Sequence, residues 1–368
     1  MAQQNIAQQN VAQKNSAKQS LGNFFEDFRV GQKLKHATPR TVTAGDQALY
    51  TALYGSRFAL QSSEVFAKAC GLPAAPVDDL LAFHIVFGKT VPEVSLNAVA
   101  NLGYADGRFL TPVYPGDTLS AESEVIGLKE NSSGKTGVVY LRTRGVNQRG
   151  EAVAEYIRWV MVKKGDAAAP APEPVVPELP AAVAADRLAI PAGLDFFGFD
   201  FAAAGAAHRW GDYEPGEKID HGDAMTIEEA EHQLATRLYQ NTARVHFNQH
   251  VESKGHFGRR IVYGGHIISL ARALSFNGLG SGVKLAAINA GTHVAPSFAG
   301  DTIYAWSEVL DRMEVPGRSD LGALRLRTVA AKDLTCCAFP YKAVSEEGRG
   351  GYHPAVLLDL DYTVLLPR

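Results

Sequence analysis

The feature that most constrains this chain is an internal repeat. Phe25, Asp27, Phe28, Gly31, Lys33, Leu34 and His36 recur as Trp210, Asp212, Tyr213, Gly216, Lys218, Ile219 and His221, each 185 positions on. Leu53-Tyr54 and Leu238-Tyr239 keep that spacing, and Gly116-Asp117-Thr118-Leu119 faces Gly300-Asp301-Thr302-Ile303 at 184. Three ordered blocks at nearly one offset mean two copies of one fold. The 368 residues then divide into two units of ordinary domain size.

Residues 164–196 separate the copies and are dominated by Pro and Ala. Such a stretch reads as a semi-rigid, extended linker with no core of its own. It divides a first domain at 22–163 from a second at 197–368. Residues 2–21 beat as AQQNI, AQQNV, AQKNS and AKQSL. Polar and low in complexity, the segment 1–21 is expected to be a disordered tail.

Both copies carry the same order of elements. A short strand opens each, at 31–36 and 216–220. A helix follows, with Thr43 and Asp46 at capping-box spacing in the first copy and Thr226 and Glu229 in the second. A second helical stretch is predicted at 77–89 and at 264–276, apolar nearly all round and therefore in need of cover on every side. The remainder is rich in β-branched and aromatic residues, and Asn147-Gln148-Arg149-Gly150 reads as a hairpin turn. The pattern predicts an α+β fold in which each copy wraps an antiparallel sheet around one central helix.

Charge narrows the function. Lys and Arg total 36 against 39 Asp and Glu, with no basic block, so no general affinity for nucleic acid or membrane surfaces is expected. No apolar run approaches the roughly 20 residues of a membrane span, and the start lacks the apolar stretch of a signal peptide. The three cysteines, Cys70, Cys336 and Cys337, build neither a disulfide framework nor a CxxC site, which suits a reducing cytoplasm.

Reactive side chains gather at Tyr239-Gln240-Asn241-Thr242-Ala243-Arg244-Val245-His246 and at Gly264-Gly265-His266. His246 has the type of side chain that takes and gives protons near neutral pH, although a structural histidine at a helix start is the plainer reading. Asn241 can orient water or an imidazole but cannot accept a proton; a turn residue is its plainer reading. Gly264 and Gly265 precede the predicted helix, where free N–H groups point at whatever lies in front. His246, His250, His256 and His266 are clustered, but without HExxH or a cysteine partner no metal site is expected.

These residues resemble the MaoC-like hydratases of R-specific enoyl-CoA type, in a double hot-dog arrangement covering about 22–368. Gly116-Asp117 and Gly300-Asp301, with Pro112 and Pro296 in register, match that family's P-x-x-x-G-D strand entry. Residues 240–246 sit on its S-G-D-x-N-P-x-H signature: His246 matches the histidine, while Asn241 replaces the aspartate and Arg244 the proline. The resemblance implies reversible hydration and dehydration of a short branched dicarboxylic enoyl-CoA, most simply β-methylmalyl-CoA to mesaconyl-CoA plus water and back, with no cofactor beyond the CoA of the substrate. It implies His246 and Asn241 as catalytic residues and Gly264 and Gly265 as donors to the thioester oxygen. Arg244, Tyr239 and His266 would bind the acyl group, Arg244 pairing with its second carboxylate, and Arg259, Arg260 and Lys284 would meet the CoA phosphates. The first copy has Ser56, Gln61 and Asp79-Leu80 at the positions of Asn241, His246 and Gly264-Gly265, so it is expected to be silent and to form one wall of the cleft. A non-catalytic acyl-CoA-binding protein and an acyl-CoA thioesterase remain as alternatives. Two tandem hot-dog units already form a pseudo-dimer and leave room for a homo-oligomer.

Overall fold

The structure, a computed structural model, describes residues 22–344 and 350–368; the polar repeat at 1–21 lies outside the described residues. Each copy gives five strands to one antiparallel sheet. The first supplies β1 (Lys33–Thr41), β2 (Ala98–Phe109), β3 (Thr118–Glu130), β4 (Thr136–Val146) and β5 (Ala152–Lys163). The second supplies β6 (Lys218–Thr226), β7 (Lys284–His293), β8 (Thr302–Glu314) and β9 (Leu321–Lys332), then a small hairpin of β10 (Lys342–Val344) and β11 (Gly350–Tyr352), and finally β12 (Val356–Pro367). The ten-strand order is β1-β3-β4-β5-β2-β7-β12-β9-β8-β6, the same sequence read outward from the centre in both directions.

The copies join where β2 pairs antiparallel with β7. Tyr104 lies opposite Gly291 and Gly107 opposite Ile288. Shifting by the repeat offset exchanges these two pairs, so the join behaves as a two-fold axis. Two faces that would each be a sheet edge are thereby paired away.

Most residues that announced the repeat are structural. Buried His36 Nε2 meets Ser123 Oγ at 2.8 Å and Ser123 meets Thr143 at 2.9 Å; His221, Ser307 and Thr328 repeat the chain at 2.8 and 2.6 Å. Asp117 accepts from the Tyr114 N–H and Asp301 from the Phe298 N–H, both at 2.9 Å. Gly116 and Gly300 precede them at φ +102° and +96°, a region that disfavours any side chain.

Each sheet half wraps a helix, Asp79–Thr90 in the first copy and Gly264–Leu274 in the second. The first is buried from Leu80 to Thr90 and the second from Gly265 to Leu274. That explains why both sequences are apolar around their full circumference. The predicted cap Thr43 is present, accepting from the Asp46 N–H. The predicted cap at Thr226 is not. Thr226 ends β6, where its hydroxyl meets that of Thr302 at 2.9 Å, and the helix Glu229–Leu238 starts after Glu228 with no side-chain cap. The counterpart of Thr226 is Thr41, which meets Thr118 in the same way at 2.8 Å; capping-box spacing had been matched two residues out of register.

The linker also departs from expectation. Its Val175 pairs with Leu128, and Val183, Leu188, Leu194 and Phe196 are buried with Leu60, Phe66 and Ala286. A Pro-rich strap thus shares a core between the copies, because its sparse aliphatic residues find apolar surface on the sheet's outer face. Among the described residues, no helix is long and apolar enough to cross a membrane.

Candidate active site

The loop from Asn241 to Tyr263 is shaped by its own polar groups. Gln240 adopts a left-handed conformation at φ +53°, and Asn241 Oδ1 then accepts from the Ala243 N–H at 2.9 Å. This Asx turn leads into the short turn Arg244–His246. Gln233 Nε2 donates to the His246 carbonyl, and the Ile261 N–H donates to the Val245 carbonyl at 3.1 Å. His246 Nδ1 lies 2.9 Å from the Ile261 carbonyl oxygen. A carbonyl can only accept, so Nδ1 carries the proton and Nε2 is left with a lone pair. Among the described residues Nε2 has no partner.

His246 and Asn241 line a cavity of about 360 Å³ between the copies. Gly264 and His293 belong to the second copy's share of the lining, and Tyr104 and Arg158 to the first copy's. No Asp or Glu is among its described lining residues. Burial lowers His246 to about 4, partly opposed by its bond to the Ile261 carbonyl, so the ring is a neutral base in the ordinary pH range. Burial likewise lowers His293 to about 4. Its Nε2 lies 3.1 Å from the Tyr104 hydroxyl, and burial keeps that phenol protonated.

The helix start at Gly264 requires glycine for contact reasons. A Cβ on Gly264 would lie 2.5 Å from His293 Cε1, and one on Gly265 would lie 2.3 Å from Tyr263 Cε1 and 2.5 Å from His84 Cε1. The cap residue Tyr263 supplies no side-chain bond. The N–H groups of Gly264 and Gly265 therefore have no partner among the described residues, at the positive end of a three-turn helix. Such an end, in a cavity free of carboxylates, is arranged to hold a developing negative charge.

The equivalent place in the first copy is closed. Asp78 caps the helix through the Leu80 N–H at 2.9 Å, and Asp79 is ion-paired with Lys284. Burial, then the neighbouring Asp79, raises Asp78 to about 6. Gln61 donates to the Val283 carbonyl at 2.8 Å. The residual space among Gln61, Asp78, Asp79 and Arg272 is about 10 Å³. One copy keeps an uncapped helix end and a cavity; the other fills both with its own Asp78 and Asp79 and with Lys284 and Arg272 from the second copy.

Several candidates lie elsewhere. Tyr239 and His266 are behind the cavity: the Tyr54 hydroxyl meets the Tyr239 hydroxyl at 2.7 Å and His266 Nδ1 at 2.9 Å, all buried. His84 belongs to the same core, 3.1 Å from Ser269 and 3.3 Å from the Tyr263 hydroxyl. The resemblance implies the Tyr239 and His266 side chains as acyl-binding, but they turn toward Tyr54 of the other copy. Arg244 is exposed and outside the cavity lining, because the turn that points His246 inward points its neighbour two residues earlier outward. Arg259 is exposed and stacks 4.0 Å over Phe298. Arg260 is bound to Glu229 and to the Phe247 carbonyl. Lys284 is buried against Asp79 rather than presented to solvent. His250 and His256 are exposed, and no group of three metal-ligating side chains occurs among the described residues.

His293, Tyr104 and Arg158 were not singled out from the sequence. The repeat offset held no signal for the last, and only strand pairing matches it to its counterpart: β5 places Arg158 opposite Tyr104 and Leu141, while β12 places Tyr362 opposite Ile288 and Leu326 in the same register. A basic residue thus stands in one copy where the other has an aromatic one.

The profile of the mesaconyl-CoA hydratase family matches residues 6–336. The chain is 66% identical over 351 residues to a β-methylmalyl-CoA dehydratase of Chloroflexus aurantiacus, covering 95% of this chain and 99% of that one. It is 62% identical over 353 residues to a mesaconyl-CoA hydratase of Cereibacter sphaeroides, covering 95% and 100%. A crystal structure of a MaoC domain protein dehydratase from Chloroflexus aurantiacus superposes with a TM-score of 0.92 at 66% identity, over 95% of this chain and 99% of that one. A double hot-dog protein of Mycobacterium tuberculosis shares the fold at 24% identity and a TM-score of 0.70, over 95% of this chain and 100% of that one. Two hot-dog copies, one open cleft and this likeness along nearly the whole chain agree: the chain belongs to the mesaconyl-CoA hydratase family, on the MaoC-like double hot-dog fold.

Proposed function

We propose that this chain is a hydro-lyase that interconverts β-methylmalyl-CoA and mesaconyl-CoA plus water. The observation that carries the reading is the pairing, in one cavity, of a neutral His246 with its Nε2 lone pair unengaged and an uncapped helix end at Gly264. The substrates are those that give the two relatives at 66% and 62% identity their names.

In the hydration direction, His246 Nε2 accepts a proton as the water oxygen attacks the β-carbon. The electron pair of the double bond moves through the α-carbon onto the thioester oxygen, which the Gly264 and Gly265 N–H groups hold. His246 then returns its proton to the α-carbon, so water is added with no proton gained or lost overall. Asn241, at the same cavity wall, orients the water as a hydrogen-bond partner, since an amide takes no proton. Proton transfer by a positioned base is worth about 10²–10⁴-fold, and loss of one oxyanion donor costs about 10²–10³-fold. The reaction needs no cofactor, CoA being part of the substrate, and three unpaired cysteines suit the cytoplasm.

The test is to incubate the protein with mesaconyl-CoA and follow the absorbance of the conjugated thioester together with free thiol. Loss of absorbance without thiol release is expected. Thiol release would indicate a thioesterase, and binding with neither change a non-catalytic acyl-CoA-binding protein.

A further inference from the structure

The cavity contains one charged side chain that the proton chemistry does not use. Arg158 is 1% exposed on β5 and lines the wall contributed by the first copy. Its partners are all neutral: Thr90 Oγ1 at 2.8 Å, Ser95 Oγ at 3.0 Å and Asn101 Oδ1 at 3.4 Å. Its Nε is buried and has no hydrogen-bond partner. The guanidinium lies 4.3 Å over the Phe87 ring, which holds its plane fixed. No Asp or Glu forms an ion pair with it among the described residues.

A buried guanidinium without a counter-ion is an expensive arrangement. Burial lowers Arg158 below its ordinary range, although the group stays charged at any working pH. The other buried arginine of the central region, Arg272, is different: it lies in the field of Asp78 and Asp79 and its guanidinium reaches a backbone carbonyl, that of Gly282. Arg158 has no such acid and faces empty space. Tyr362 occupies the corresponding register of the second copy and Arg272 the position of Phe87, so the second copy keeps a cation beside an aromatic ring with the two exchanged, but there the cation has acids nearby that Arg158 lacks.

We propose that Arg158 is the carboxylate-recognition residue of this cleft and selects enoyl-CoA substrates whose acyl group ends in a carboxylate. The proposal rests on the hydratase reading above and deepens it. With the thioester oxygen at Gly264, the far carboxylate of a four-carbon dicarboxylic acyl chain sits against the opposite wall. There the guanidinium supplies the fork that a carboxylate fits, and Ser95 and Asn101, already bonded to Arg158, hold that fork in place. Phe87 and Val91, in the same lining, offer apolar surface to the methyl branch. The exposed Arg244 beside His246 takes no part.

The test compares two substrates on the full chain: mesaconyl-CoA, and crotonyl-CoA, which lacks the carboxylate. Arg158→Met is expected to lower kcat/KM for mesaconyl-CoA by about 100-fold or more while that for crotonyl-CoA changes less than threefold. Crotonyl-CoA turnover by the variant is then its own control for folding. Equal losses on both substrates in a folded variant overturn the proposal, as does an unchanged mesaconyl-CoA rate. Should Arg158→Met fail to fold, Arg158→Lys keeps the charge without the fork, and the same selective loss for mesaconyl-CoA is expected. Inhibition of the wild-type chain supplies a further arm: succinyl-CoA should bind at least tenfold more tightly than butyryl-CoA, and parity overturns the proposal. A wild-type protein that hydrates neither thioester refutes the hydratase reading; the succinyl-CoA to butyryl-CoA ratio still judges Arg158.

Discussion

Mild acid should unfold this protein, because its core holds histidines that cannot be charged in place. Burial lowers His84 and His266 to about 3 and His221 and His246 to about 4, and all four are buried. Their unfolded value is about 6.5. Above that value neither state holds the proton, so the folded state loses nothing. As pH falls below it, the unfolded chain takes protons that the folded chain refuses, and stability drops until the folded pKa is reached. At pH 5.5 this costs between about 1 and 2 kcal/mol for each ring, or about 5 kcal/mol for four relative to pH 7.5. Asp78, raised to about 6, works the other way, since folding raises its proton affinity; it returns at most about 1 kcal/mol. The net loss of about 4–5 kcal/mol is comparable to the whole stability of a modest domain, about 5–15 kcal/mol. His293, lowered to about 4 by burial at the cavity wall, adds to the loss in the same direction, so the figure for four rings is a lower bound. Urea titrations followed by tryptophan fluorescence at pH 7.5, 6.5 and 5.5 check this. The midpoint should fall steeply below pH 6.5, with net uptake of at least about three protons on unfolding at pH 5.5. A midpoint that is flat from pH 7.5 to 5.5 would show that these rings are protonated in the folded state, and the neutral-base reading of His246 would fall with it.

Other outcomes follow from the same geometry. His246→Ala should lower mesaconyl-CoA hydration by about 10²–10⁴-fold without loss of secondary structure by circular dichroism; an unchanged rate removes it from the chemistry. Gly264→Ala places a Cβ 2.5 Å from His293 Cε1, so the ring must shift and its 3.1 Å contact with Tyr104 opens. A fall in kcat of at least about tenfold is expected, and a wild-type kcat would show that the His293 wall is not needed. Lys284→Met leaves Asp79 without its cation and should destabilise by about 3–5 kcal/mol in urea titration. Its KM for mesaconyl-CoA should stay within twofold; a rise of tenfold would mean that Lys284 reaches CoA after all.

The duplication, the two central helices and the α+β arrangement of a sheet around each were legible in the sequence because they rest on periodic signals, while the hot-dog class was implied by the resemblance. The offset of the repeat, the all-round apolar helices at 77–89 and 264–276, and the Gly-Asp strand entries each depend on local chemistry that is the same wherever the chain goes. The asymmetry of the copies was legible as well, since Gln61 and Asp79 cannot do what His246 and Gly264 can. The tautomer of His246 was not, because its Nδ1 proton is set by the Ile261 carbonyl, which the chain brings back only through a folded loop. The direction of a side chain was not legible either. Arg244 is two residues from His246 in sequence and faces solvent, while Arg158 is 88 positions from it and shares its cavity. Sequence alone determined that two copies of one fold are present and that one retains a proton carrier. Only the tertiary structure decided which cation lines the cavity, because the cleft forms where β2 and β7 join the copies, and proximity across that join has no counterpart along the chain.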